Sequence, residues 1–97
     1  MPQPDSVSAL PARAEVLAKV RTLLAELLDL ETEDPIQETS LLAEDLQVDS
    51  LGMVDMVTLV EEAYSLRLPS NTDLTAIKTP GHIVDLVVAL LEKKAAA

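Results

Sequence analysis

The 97 residues, 48% of them hydrophobic, suffice for one small domain with an aliphatic core, because the chain holds one tyrosine and no phenylalanine or tryptophan. Seven basic residues against seventeen acidic ones give a formal net charge of −10, which repels phosphate backbones and anionic membrane surfaces and favours basic protein partners. With no cysteine, disulfides, zinc thiolate sites and thiol nucleophiles of the chain's own are excluded.

Residues 1–10 contain proline and serine with little periodicity and are expected to form a flexible leader. They lack the basic start and apolar core of a secretory signal, and no run is long enough to cross a bilayer, so a cytoplasmic location is expected. Residues 11–92 read as one domain and residues 93–97 as a flexible tail. From 11 to 30, Val16, Leu17, Val20, Leu23, Leu24, Leu27 and Leu28 recur at helical spacing and predict a first long helix. Glu31, Glu33, Asp34 and Pro35 break that pattern. The acids lack the glycine and ligand spacing of a calcium loop, and no metal site is expected. The chain on to Val48 is expected to be a loop pinned to the core by Leu41, Leu42 and Leu46.

A second long helix is predicted over residues 50–64, ended by the segment 66–69 with its proline. Met53, Met56, Val57, Val60, Ala63 and Tyr64 fall on one side by their spacing and form its core stripe. The other side collects Leu51, Val54, Asp55, Thr58, Glu61 and Glu62, close to Ser50 at the helix head. This mixed face has two readings: an ordinary solvated surface, or a docking surface with apolar contact from Leu51 and Val54 and steering charge from Asp49, Asp55, Glu61 and Glu62. Gly52 sits in the first turn at a helix-propensity cost of roughly 1 kcal/mol relative to alanine. Either it permits close approach of a partner or prosthetic group, or it is tolerated where helices fray.

Ser70 or Thr72 is expected to cap a short helix reaching about Ala76. Thr79 followed by Pro80 then marks the start of the last helix, with Ile83, Leu86, Val87, Leu90 and Leu91 as its buried stripe. The expectation is an all-α protein, three longer helices and one short, without strands or internal repeats.

Ser50 is the chemically distinctive residue. No general base stands near it in sequence, His82 is far along the chain, and no G-x-S-x-G elbow surrounds it, so its hydroxyl suits modification by another enzyme better than nucleophilic attack. The run Leu42-Ala43-Glu44-Asp45-Leu46-Gln47-Val48-Asp49-Ser50-Leu51, followed by Val54, Asp55, Glu61-Glu62 and Leu68-Pro69, resembles the acyl carrier proteins, and the likeness extends from the first helix to Leu91. That resemblance implies the four-helix carrier bundle and a non-catalytic role. It makes Ser50 the site where a phosphopantetheinyl transferase attaches phosphopantetheine from coenzyme A, whose thiol then carries acyl groups as thioesters. It also implies docking of acyl- or aminoacyl-transferring enzymes and ketosynthases through Asp49, Leu51, Val54, Asp55, Thr58, Glu61 and Glu62. A monomer is expected.

Departures from the family pattern bear on the pathway. Gln47 replaces a usual glycine, Gly52 a commonly acidic or polar residue, and Thr58 a frequent methionine, while the stretch 70–79 is slightly longer than in bacterial fatty-acid carriers. Together with the leader they favour a discrete carrier of polyketide or mixed polyketide–peptide biosynthesis. The alternatives are a peptidyl or aminoacyl carrier, and a small helical interaction module without a prosthetic group.

Overall fold

The computed structural model describes residues 11–96, so the leader expected over 1–10 lies outside the described residues. The elements are α1 (Arg13–Leu27), α2 (Ser50–Tyr64), a three-residue 3-10 helix (Leu74–Ala76) and α3 (Pro80–Ala96), without strands among the described residues. The expected all-α bundle of three longer helices and one short one is what forms. α1 packs against both α2 and α3, more extensively against α3. Its Val16, Val20, Leu23 and Leu24 meet Met56 and Val60 of α2 and Ile83, Val84 and Val87 of α3 in one aliphatic core.

Helix boundaries differ from the sequence expectation in an instructive way. α1 stops at Leu27 rather than near Leu30 because Asp29 turns left-handed at φ 59°. Asp29 N then donates to Glu26 O at 3.2 Å and Leu30 N to Ala25 O at 2.8 Å, the paired closure of a Schellman end. α2 spans the predicted residues 50–64, but a left-handed Ser65 (φ 52°), with Leu66 N donating to Glu61 O at 2.9 Å, ends it ahead of the proline expected to stop it. α3 begins as predicted, with Thr79 Oγ1 accepting from His82 N at 3.2 Å and Pro80 as the first helical residue. It continues to Ala96, so residues 93–96, expected as tail, extend the last helix.

The connection between α1 and α2 is tied down along its length. Arg21 donates from Nε to Ile36 O at 2.8 Å and from Nη2 to Glu33 O at 2.9 Å, and Ile36 is fully buried. Leu42 N donates to Lys78 O, and Gly81 N to Glu38 O, joining this segment to the start of α3. A side chain at Gly81 would press on Glu38, so that approach requires glycine. Arg13 bridges the same region through ion pairs to Glu38 (2.7 Å) and Asp85 (3.0 Å); these are solvent-exposed and contribute register more than stability.

The expected pins are partly corrected. Leu42 is buried and Leu46 half-buried, but Leu41 is 39% exposed, and the missing anchors are Ile36 and Val48. On α2, Ala63 is exposed: its single methyl, in the last turn, does not reach the core, whereas Leu59 packs against it. On α3, Val84 is fully buried while Leu86, Leu90 and Leu91 are half-buried.

Tyr64 packs partly against the core, and burial, with a smaller contribution from the Glu15 carboxylate, pushes its phenol above the ordinary 10.0. A raised value means the folded state favours the neutral phenol. Its stabilising effect is therefore complete below pH 10.0 and is lost as pH rises through the folded value. As the chain's sole aromatic residue it can be followed by alkaline absorbance titration. The folded midpoint should exceed that in urea; coincident midpoints would contradict the burial.

Candidate functional site

Asp49 and Ser50 open α2. Asp49 is the N-cap, its Oδ1 accepting from Gly52 N at 2.8 Å, and Ser50 is the first helical residue, with an exposed side chain. The approach to this cap is made by Gln47, which holds a left-handed φ of 59°. A residue lacking Cβ occupies that region freely, which accounts physically for a glycine there in the family pattern. Gln47→Gly is expected to raise stability by up to about 1 kcal/mol, since relief of roughly 1–2 kcal/mol of left-handed cost outweighs the added backbone entropy of the unfolded chain. A lower denaturant midpoint in Gln47→Gly would contradict this.

Gly52 has a reason of its own. A Cβ there would lie 2.9 Å from Val48 Cγ1 and 3.3 Å from Asp49 Oδ1. The missing side chain is thus the space taken by the buried Val48 and the capping carboxylate. The close approach at Gly52 is made by groups of the chain itself, a packing reason that neither expected use included.

The outer face of α2 separates into exposed and committed positions. Leu51 is 75% exposed and Val54 51%, although both are large apolar side chains. Asp55, Thr58 and Glu62 are exposed on the same face. Thr58 Oγ1 donates to Val54 O at 3.0 Å, so its hydroxyl is already used within the helix. Glu61 is half-buried and its Oε2 accepts from Leu68 N at 2.7 Å. It differs from its neighbours in closing the turn after α2, a task invisible from spacing alone.

Beside Ser50 opens a groove of about 320 Å³. It is lined by the apolar residues Leu42, Val48, Met53, Val54, Leu74 and Ile77 and by the polar residues Glu44, Asp49, Thr75 and Lys78. Behind it, between α2 and α3, lies a void of only about 10 Å³ whose lining includes Val57, Val60, Ile83 and Val87. Met53 and Ile77 line both spaces and form the partition between them. The region around Met53, Val57 and Leu74 is therefore divided. Leu74 belongs to the groove, Val57 to the closed seam and Met53 to both. The short element that brings Leu74 there is a 3-10 turn capped by Asp73, whose Oδ1 accepts from Thr75 N at 3.0 Å, rather than by Ser70 or Thr72. The Thr75 hydroxyl, which also donates to Asp73 Oδ1, and then the Thr75 N–H hold the Asp73 carboxyl below its ordinary value.

Among the described residues no arrangement activates Ser50 as a nucleophile. The neighbouring Asp49 carboxylate is engaged by Gly52 N, and His82 Nδ1 accepts from Lys78 N at 3.0 Å. What is built is an exposed hydroxyl at a helix head, flanked by an amphipathic trench and an exposed apolar and acidic face.

The phosphopantetheine attachment site family matches residues 18–87, most of the chain. An acyl carrier protein of Saccharopolyspora erythraea is 34% identical over 85 residues, covering 88% of this chain and 87% of its own. The chain belongs to the acyl carrier proteins. A crystal structure of the acyl carrier protein of Thermotoga maritima matches this carrier with a TM-score of 0.68 at 26% identity, covering 84% of this chain and 92% of that one. The meromycolate extension acyl carrier protein of Mycobacterium leprae is 29% identical over 79 residues, covering 81% of this chain and 67% of its own. Like its family, this carrier is non-catalytic and takes its thiol from covalently attached phosphopantetheine. The groove fits such an arm: an apolar trench with a polar rim, next to a reachable hydroxyl, suits a chain of methylenes and amides that ends in a phosphate. No helix among the described residues is long and apolar enough to cross a membrane.

Thr75, Ile77 and Lys78 also line the trench, with no signal in the sequence to mark them. They lie in an aperiodic connection, and only the closing of that connection over α2 brings them near Ser50.

Proposed function

We propose that Ser50 is the residue that bears phosphopantetheine, and that this carrier holds acyl or polyketide intermediates as thioesters on that arm and presents them to successive enzymes. The observation that carries the reading is an exposed Ser50 at the head of α2, opening onto an amphipathic groove. A phosphopantetheinyl transferase installs the arm, and partners with basic surfaces, ketosynthases and acyl- or aminoacyl-transferring enzymes among them, dock on the outer face of α2. Leu51 and Val54 supply apolar contact there, while Asp49, Asp55 and Glu62 supply steering charge. Thr58 borders the contact, and Glu61 supports it by holding the following turn.

A Leu51→Asp variant should lose about tenfold or more in kcat/KM for loading, since a buried leucine is worth about 1.5–3 kcal/mol and each 1.4 kcal/mol is tenfold. Its helical circular dichroism should be unchanged, because Leu51 is exposed. Unaltered loading kinetics would remove Leu51 from the docking face.

The pathway favoured is polyketide or mixed polyketide–peptide biosynthesis. The departures at Gln47, Gly52 and Thr58 support it, and so does a seam behind the groove too small for a long alkyl chain without parting of Met53 and Ile77. Intact-mass and fragment analysis of the protein isolated from its native host, with its cargo attached, tests this. A polyketide or amino-acid-containing intermediate agrees with the proposal, and a homologous series of long saturated acyl groups contradicts it.

A further inference from the structure

Resting on the reading that Ser50 bears the arm, we infer that Lys78 is a positioning residue for it: its ammonium pairs with the phosphodiester on Ser50 and holds the arm along the groove. A phosphodiester on Ser50 is an anion placed beside Asp49, with Glu44 on the same groove. Backbone N–H groups supply the usual compensation at a helix head; here Gly52 N is committed to Asp49 Oδ1 at 2.8 Å and Met53 N to Asp49 O at 2.9 Å, which leaves the N–H groups of Ser50 and Leu51. Two N–H dipoles offset only part of a full anionic charge set beside Asp49 and Glu44, which leaves a place for a cation. Among the residues lining the groove Lys78 is the one cation.

Its placement is built by the fold. Leu42 N donates to Lys78 O at 2.9 Å, and Lys78 N donates to His82 Nδ1 at 3.0 Å, so the Lys78 backbone is held from both sides. These bonds leave the side chain uncommitted. Among the described residues the ion pairs belong to Arg13, with Glu38 and Asp85, and none to Lys78. The Asp73 carboxylate feels the Lys78 charge, but more weakly than its hydrogen bonds to Thr75. An ammonium on a flexible stem, anchored at its base and open to solvent at its tip, is suited to a tethered phosphate that must also be released when the arm swings to a partner.

The test compares full-length wild type, Lys78→Gln and Lys78→Arg, each converted with coenzyme A and a phosphopantetheinyl transferase and checked by intact mass. Two readouts are independent of acyl transfer: ³¹P relaxation of the phosphodiester, and amide shifts at residues 75–78 between apo and holo protein. Wild type should show restricted phosphorus motion and loop shifts that fade as salt is raised. Lys78→Gln should lose both, and Lys78→Arg should retain them. Holo Lys78→Gln with the same phosphorus relaxation and loop shifts as wild type would overturn the inference while leaving Ser50 as the attachment site. Wild type that gains no mass would overturn that underlying reading instead.

Discussion

Truncating Ile36 to alanine is expected to lower the unfolding free energy by about 2–5 kcal/mol, the usual range for removing a large aliphatic side chain from a closed site. A domain of this size has about 5–15 kcal/mol in all, so one residue in an irregular segment decides much of its stability. Ile36 is fully buried although no helix holds it; Arg21 clamps its carbonyl at 2.8 Å. Losing the side chain leaves a cavity that this clamped backbone cannot easily collapse into. The same segment leads on through Leu42 and Val48 to Asp49, so loosening it frees the approach to the cap of α2. Urea unfolding followed by circular dichroism measures the effect, with Ile36→Val as the conservative control at about 0.5–1.5 kcal/mol. A midpoint for Ile36→Ala equal to wild type would mean that the α1–α2 connection does not anchor the core.

The helices and the serine were legible because their signals are local. Asp49 before Ser50 and Thr79 before Pro80 are side-chain and ring effects acting within one turn, and both operate as their residue types require. The stripe Met56 and Val60 follows from spacing alone. What was not legible depends on groups brought together from a distance, or on conformations that the residue type does not announce. Asp29, Gln47 and Ser65 adopt left-handed backbone without being glycine, so two helix ends and the approach to the site carried no glycine signal. Leu41 and Leu42 are adjacent in a segment without periodicity, and which one turns inward is fixed by bonds made in the fold, among them Leu42 N to Lys78 O and Val48 N to Leu42 O. Glu61 lies among the acids of the outer face by spacing, yet Leu68 N recruits its carboxylate from across the following turn. The groove follows the same rule. Met53 is on a periodic helix, whereas Leu74, Ile77 and Lys78 arrive from a connection whose path the sequence does not encode locally.

The central claim is that Ser50, through its exposed hydroxyl, is the single point at which phosphopantetheine joins this carrier. Every property of the site bears on that atom: the cap that sets Ser50 as the first residue of α2, the glycine that leaves room for Val48 beneath, and the trench alongside. The chain contains other hydroxyls, among them Ser40, Ser65 and Ser70, so attachment in general and attachment at Ser50 are separate statements. Intact-mass measurement of wild type and Ser50→Ala after incubation with coenzyme A and a promiscuous phosphopantetheinyl transferase distinguishes them. Wild type should gain the mass of one phosphopantetheine and Ser50→Ala none, with equal helical circular dichroism. A gain retained in Ser50→Ala, or no gain in folded wild type, would contradict the account.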